Sequence, residues 1–255
     1  MVTVSPSSTR YERLRAWGVH ALTLSGLLWA TLAMFALIDG QIRMMWLWLG
    51  ISLIVDGVDG SLARKCRVKE IIPWFNGSIV DHVVDFLTWT AIPAFFIALH
   101  LPLGPRPIAI AFAVLILISS CFCYANELAK STDHYFVGFP AAWNIVAVLL
   151  WVWQAPMAVC IISIILLSIL TLVPLHYTHP FRVKRSRSLN IALTFIWIAT
   201  TGVLITLTPP QPPLLAPDYI IIGLISINVL AGTWLLLPGF RRTFTGADVD
   251  KTLAQ

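Results

Sequence analysis

The feature that most constrains this chain is a series of apolar stretches, each about as long as a membrane helix. A bilayer core needs roughly 20 consecutive apolar residues for one helix to cross it, and we count about eight such stretches. Hydrophobic residues make up 58% of the 255 and charged residues only 11%. The sequence therefore predicts an all-α polytopic membrane bundle of about eight transmembrane helices. The predicted spans are 17–39, 41–63, 78–100, 107–128, 138–154, 156–175, 188–208 and 217–238.

The division between the fifth and sixth spans has the weakest signal. Only Gln154, Ala155 and Pro156 interrupt a long apolar run there. A proline inside an apolar helix either ends the helix or kinks it. A single kinked span is therefore the alternative to two separate helices.

Basic residues are unevenly distributed between the two sides of the predicted membrane domain. Lys and Arg accumulate in cytoplasmic loops, and one set of alternate loops and tails holds all of them except Arg43 and Arg106. Both termini are therefore predicted to be cytoplasmic, as a segment 1–16 and a tail 241–255 around a membrane domain 17–240. Topology and attraction to anionic headgroups account for the net charge of +5 without any nucleic acid.

Four of the twelve acidic residues lie inside the second and third predicted spans, at Asp56, Asp59, Asp81 and Asp85. An aspartate at the centre of a bilayer costs about 2.5–3.5 kcal/mol, so four of them need compensation. Asp56 lies about 12 Å along its helix from Arg64 at the cytoplasmic edge. The other three lie at a similar or smaller depth, so all four are expected in one shallow layer reached from the cytosol.

Helical spacing brings these carboxylates together. Asp56 and Asp59 are three residues apart, and Asp81 and Asp85 are four apart, so each pair lies on one face of its helix. Carboxylate oxygens are preferred ligands of Mg²⁺ and Mn²⁺, and two such ions can hold the oxygens of a phosphoryl displacement. The pattern predicts a site for Mn²⁺ or Mg²⁺, with two ions expected.

Small and basic residues accompany the aspartates. Gly60 and Ala63 each follow an aspartate by four residues, and Gly77 precedes Asp81 by four. Small side chains leave room for a ligand, although in membrane helices they also serve close helix packing. Arg64 is either a donor to a phosphate or a topology anchor at the membrane edge.

Residues 56 to 85 read DGVDGSLARKCRVKEIIPWFNGSIVDHVVD. This segment resembles the signature of the CDP-alcohol phosphatidyltransferase family, D-x-x-D-G-x-x-A-R, a spacer, then G-x-x-x-D-x-x-x-D. The spacer between Arg64 and Gly77 is longer than in most members. It is similar to the bacterial, choline-using branch of the family, as are DHYFVGFPAAWN at 133–144 and HPFRVKRSRSLN at 179–190.

The resemblance extends over about 17–240 and implies a function. The chain is expected to condense CDP-diacylglycerol with choline, giving phosphatidylcholine and CMP, with Mn²⁺ or Mg²⁺ as cofactor. By the family pattern the four aspartates bind metal, and Asp85 also accepts the proton of the alcohol. The family pattern also gives the residues expected to hold the cytidine diphosphate, which are Asp59, Gly60, Ala63, Arg64 and Gly77.

The residues that would hold choline are less well defined by the sequence. A quaternary ammonium is bound best by aromatic faces, sometimes with a nearby carboxylate. Candidates on the cytoplasmic side are Tyr124, Glu127, Trp143 and Asn144, although aromatic residues also gather at membrane interfaces as anchors. Basic residues beside the seventh span are candidates for the lipid phosphate, in particular Arg182 and Arg185.

Two other functions remain open from the sequence. Another acceptor, serine above all, would make the chain a different CDP-alcohol phosphatidyltransferase. A cation transporter would also place aspartates in the membrane, but near its centre and often in inverted repeats. The resemblance further implies a homodimer in a bacterial inner membrane, with membrane lipids around it and the active site facing the cytoplasm.

Overall fold

A computed structural model describes residues 8–126, 131, 135–183, 186–208 and 217–245. The chain forms two compact units, 1–92 and 93–255. All eight predicted spans contain helix, which confirms the all-α class. The helices are α1 Arg10–Ile38, α2 Ile42–Lys65, α3 Val68–Ile71, α4 Gly77–Asp85, α5 Ile92–His100, α6 Arg106–Ala125, α7 Trp143–Val152, α8 Met157–Leu170, α9 Arg187–Leu207 and α10 Asp218–Thr245.

Within the described residues, six helical stretches are long and apolar enough to cross a membrane. They are Arg10–Ile38, Ile42–Lys65, Gly77–His100, Arg106–Ala125, Arg187–Leu207 and Asp218–Thr245. The fifth and sixth predicted spans are shorter helices, α7 and α8, of 10 and 14 residues. Their predicted limits were too wide because Pro140 and Pro174 interrupt the apolar runs outside the helices. The two helices are separate, so the single kinked span is not formed.

The first unit begins with a capped helix. The Thr9 hydroxyl accepts a hydrogen bond from the Glu12 amide, and the Glu12 carboxylate accepts one from the Thr9 amide at 2.9 Å. This reciprocal arrangement satisfies two amides that a helix N-terminus otherwise leaves free. Helix α1 therefore starts seven residues before the predicted membrane span.

The spacer between α2 and α4 folds onto the start of α1. Its short helix α3 buries Val68 and Ile71 against Ala16 and Val19. At the edge of this cluster, Arg67 forms an ion pair with Glu12 at 3.3 Å. Both side chains are solvent-accessible, so the pair contributes at most about 1 kcal/mol. Apolar burial is what holds the spacer in place.

The helix that carries Asp81 and Asp85 changes its winding directly after Asp85. Residues Phe86–Ala91 form a π-helical segment, and α5 follows from Ile92. Pro93 has no amide hydrogen, and its ring crowds the carbonyl four residues earlier. The wider π turn relieves this conflict just before the proline.

In the second unit, two short strands form an antiparallel pair, Phe136–Val137 with His176–Tyr177. Gly138 follows the first strand with φ +82°, and a Cβ there would meet the Thr171 carbonyl oxygen. Only glycine fits this close approach. The sequence did not predict these strands, which are two residues long.

Candidate active site

Three carboxylates form a compact acidic group in the first unit. Asp56, Asp81 and Asp85 each offer an oxygen, and these oxygens all lie within 4.8 Å of one another. All three side chains are partly buried. Hard carboxylate oxygens at this spacing are a suitable donor set for Mg²⁺ or Mn²⁺.

Helix geometry explains why these three meet. Asp81 and Asp85 are four residues apart on α4 and therefore point about 40° apart on one face. Asp56 lies on α2, and both α2 and α4 pack against α1 in the same unit. Asp85 is the last residue before the π-helical segment, where the widened turn begins. Such segments occur often at functional sites in helices.

Asp59, the predicted fourth ligand, lies outside this group of three. It is 5% exposed on α2. Side chains three residues apart on a helix differ in direction by about 60°, so sharing a helix face with Asp56 does not bring the Asp59 carboxylate as close to Asp81 and Asp85. Its role in metal or nucleotide binding stays a prediction.

Gly60 and Arg64 extend the line of Asp56 along α2. The Arg64 guanidinium folds back along the helix, donating to the Ser61 hydroxyl at 3.1 Å. Its Nη1 lies 3.7 Å from the position a Cβ on Gly60 would take. An exposed guanidinium thus lies one to two turns from the carboxylates, on the same stripe of the helix. This placement leaves the guanidinium accessible, and the predicted contact of Arg64 with a phosphate stays a prediction.

Ala63 and Gly77, the other two small residues predicted to contact the nucleotide, lie against protein side chains in the structure. Ala63 packs against the cluster formed by α1 and α3. A Cβ on Gly77 would lie 2.9 Å from the Cε1 atom of His20. Both small residues therefore serve helix packing, and their predicted contact with cytidine diphosphate stays a prediction.

The predicted choline and lipid-phosphate residues belong to the second unit. Trp143 is fully buried and packs edge-on against Phe139. The Asn144 side chain accepts a hydrogen bond from the neighbouring Ile145 amide at 2.7 Å. In this conformation the Trp143 indole presents no exposed face to a ligand.

Of the remaining predicted choline and lipid-phosphate residues in that unit, two lie within the described residues and two lie outside them. Tyr124 lies near the end of α6 and is partly buried, and Arg182 is exposed. Glu127 and Arg185 lie outside the described residues. The choline and lipid-phosphate assignments therefore stay predictions.

The sequence reasoning missed an aromatic cluster beside the carboxylate helix. Trp17 packs with Trp74 and Phe75, with ring centroids 5.6 Å apart in each case, and His20 lies 4.4 Å from Phe75. The available signal was the run PWFN at the end of the spacer, directly before Gly77. This cluster attaches the start of α4 to α1.

Proteins of known function share extended similarity with this chain. It is 47% identical over 212 residues to a phosphatidylcholine synthase of Pseudomonas aeruginosa, covering 83% of the chain and 89% of that protein. It is 35% identical over 230 residues to the phosphatidylcholine synthase of Rhizobium meliloti, covering 90% and 91%. The chain belongs to the phosphatidylcholine synthase family.

A further member of the phosphatidylcholine synthase family, from Agrobacterium fabrum, is 38% identical over 192 residues, which is 75% of this chain and 79% of that protein. No general family model matches the chain. The alignments cover between 79% and 91% of each of these three family members. Membership makes it an enzyme of phospholipid synthesis in a membrane.

Proposed function

We propose that this protein transfers the phosphatidyl group of CDP-diacylglycerol to choline, releases CMP, and depends on Mn²⁺ or Mg²⁺. The observation that carries the proposal is the group of three carboxylate oxygens within 4.8 Å of one another on apolar helices. A membrane protein brings such charges together at a large cost in free energy. Similarity to phosphatidylcholine synthases supports a catalytic role for these carboxylates.

In the proposed reaction the choline oxygen attacks the β-phosphorus, which carries the diacylglycerol. A new bond forms between that oxygen and the phosphorus, and the bond from the phosphorus to the CMP oxygen breaks. Asp85 accepts the proton of the choline hydroxyl as a general base. Bound Mn²⁺ or Mg²⁺ would neutralise charge on the diphosphate oxygens and on the departing CMP.

The residues of the chain would bind and orient the substrates. Asp56, Asp81 and Asp85 would hold the metal, with Asp59 as an additional candidate ligand or nucleotide contact. Arg64 would donate to a diphosphate oxygen from its position beside Gly60. Holding the reacting groups in place contributes much of the rate enhancement in phosphoryl transfer.

The proposal includes the setting of the reaction. The site faces the cytoplasm at the inner membrane of a bacterium, since the carboxylates lie near the side to which most basic residues are assigned. Choline is the acceptor, and a homodimer is the working form. The cation-transporter alternative lacks support, because the similar proteins are phosphatidylcholine synthases.

The experiment that tests this function is CMP release by purified protein in detergent, with CDP-diacylglycerol and Mn²⁺. Choline, serine, glycerol 3-phosphate and inositol are compared as acceptors. Asp85→Asn removes the proposed base, and Asp39→Asn, at the far end of α1, is the matched control.

Release with choline that Asp85→Asn abolishes and Asp39→Asn retains would support the proposal. Release with serine alone would keep the chemistry and reject choline as the acceptor. No release with any acceptor would reject phosphatidyl transfer.

A further inference from the structure

Helices α1 and α4 pack against each other, and at two of their contacts a glycine of one helix faces a large side chain of the other. Gly26 of α1 faces Val84 of α4, and Gly77 of α4 faces His20 of α1. His20 precedes Gly26 in α1, and their partners Gly77 and Val84 follow in the same order in α4, so the two helices run parallel. One glycine lies on α1 and the other on α4, so each helix supplies one glycine and one large side chain.

The contact at Gly26 is closely packed. A Cβ added there would lie 2.5 Å from Val84 Cγ1 and 3.3 Å from Cγ2. Val84 is 5% exposed and β-branched, so its side chain has essentially one rotamer in a helix and cannot swing aside. Any larger residue at position 26 must displace α4 itself.

At the second contact, the buried imidazole ring of His20 faces Gly77 as Val84 faces Gly26. His20 is 4% exposed and lies between Trp17 and Phe75, with ring centroids 5.7 and 4.4 Å away. A Cβ on Gly77 would come within 2.9 Å of this ring. The aromatic neighbours leave the ring little room to move, so this contact also resists displacement.

The two contacts match in spacing. His20 and Gly26 are six residues apart, about 9 Å along α1, and Gly77 and Val84 are seven apart, about 10.5 Å along α4. Shifting α4 by one residue would rotate it by about 100° and break both contacts. Together they fix both the depth and the rotation of α4 relative to α1.

The acidic residues of α4 depend on this placement. Asp81 lies between the two contacts, and Asp85 directly follows Val84. Because neighbouring residues on a helix point about 100° apart, holding Val84 against Gly26 sets the direction of Asp85. The contacts are therefore suited to aim both carboxylates at Asp56.

We propose that His20, Gly26 and Val84 are positioning residues for the metal site. They touch no reacting atom and act by fixing α4, so that the oxygens of Asp81 and Asp85 stay within ligand distance of Asp56. This inference rests on the proposed metal-dependent function. Residues that orient metal ligands typically change metal affinity by about 10–100-fold when altered.

The test measures Mn²⁺ binding directly, from the electron paramagnetic resonance signal of free Mn²⁺ titrated with purified protein in detergent. The variants are Gly26→Ala, Val84→Ala and the double variant. In the double variant the two Cβ atoms would face each other at about the 3.5 Å that separates a Cβ at position 26 from Val84 Cβ. Gly18→Ala, on the same helix with open space around its Cβ, is the matched control.

We expect Gly26→Ala to raise the dissociation constant for Mn²⁺ about 10-fold and Val84→Ala to raise it as well. The double variant should bind within a few-fold of wild type, and Gly18→Ala should equal wild type. If Gly26→Ala does not fold, Val84→Ala carries the same test because it only removes atoms. The second contact gives an independent pair, in which His20→Ala should rescue Gly77→Ala.

Equal dissociation constants in wild type, Gly26→Ala and Val84→Ala would overturn the positioning role and leave the metal site intact. A lower melting temperature with an unchanged dissociation constant would likewise show packing alone. If wild type and Asp85→Asn both fail to bind Mn²⁺, the metal site of the proposed function fails, and the positioning proposal fails with it.

Discussion

Three carboxylates held within 4.8 Å of one another should repel each other when no metal is bound. At an effective dielectric constant of about 20, two unit charges 4.8 Å apart interact by about 3.5 kcal/mol. Asp81→Asn removes one negative charge and with it the repulsion from both Asp56 and Asp85. Water at these partly buried positions weakens the interaction, so we expect a net stabilisation of about 1–2 kcal/mol in the metal-free protein.

The assay is thermal unfolding of purified protein in detergent, followed by tryptophan fluorescence, in EDTA and in Mn²⁺. In a chain of this size 1 kcal/mol corresponds to about 2–4 °C. Asp81→Asn should therefore melt about 2–8 °C above wild type in EDTA. Wild type should gain stability from Mn²⁺, because an ion that binds only the folded state stabilises it, and the variant should lose most of that gain.

Asp39→Asn is the matched control, since this aspartate caps α1 away from the acidic group. It should keep the wild-type response to Mn²⁺. The reasoning would be refuted if Asp81→Asn melted below wild type in EDTA and still responded to Mn²⁺ as wild type does.

Other substitutions test separate parts of the structure. Arg64→Lys keeps the charge but loses the forked donor, so kcat/KM for CDP-diacylglycerol should fall about tenfold in the CMP-release assay; unchanged kinetics would exclude a bidentate phosphate contact. Gly26→Cys with Val84→Cys, in a variant without the native cysteines, should form a disulfide on oxidation, because the Cβ positions lie 3.5 Å apart; free thiols in the mass spectrum would contradict the parallel contact. Gly138→Ala should lower the melting temperature more than Gly104→Ala, since both have positive φ but only Gly138 lies against a carbonyl; equal losses would show that backbone strain alone matters.

The membrane helices and the acidic group follow from local rules that a sequence displays. Apolar length predicts helices at each of the eight positions, and the spacing of Asp81 and Asp85 predicts that they share a face. The approach of Asp56 to them was inferred from the shared depth of the residues. These predictions succeed because helical periodicity and bilayer thickness decide them without reference to distant contacts.

Other features depend on tertiary contacts that a single sequence does not display. Asp59 belongs to the same signature as Asp56, yet it is buried on α2 outside the group of three carboxylates. Trp143 has an aromatic ring of the kind that binds choline, but this side chain is fully buried and packs against Phe139. Whether a polar or aromatic side chain is buried depends on which helix faces it.

The change of winding after Asp85 is accompanied by a local signal in the sequence. Pro93 lies in the third predicted span and disrupts regular α-helical hydrogen bonding before it. The π-helical segment is the resulting adjustment. The contact of Gly77 with His20 had no such signal, because those residues are 57 positions apart in the sequence.

The most direct test of phosphatidyl transfer to choline is to identify the lipid product. Purified protein is incubated with CDP-diacylglycerol, Mn²⁺ and deuterated choline, and the lipids are analysed by mass spectrometry together with the CMP formed. The account predicts deuterated phosphatidylcholine in equal amount to CMP, and neither product with Asp85→Asn. CMP without deuterated phosphatidylcholine, or a labelled lipid formed equally by Asp85→Asn, would contradict it.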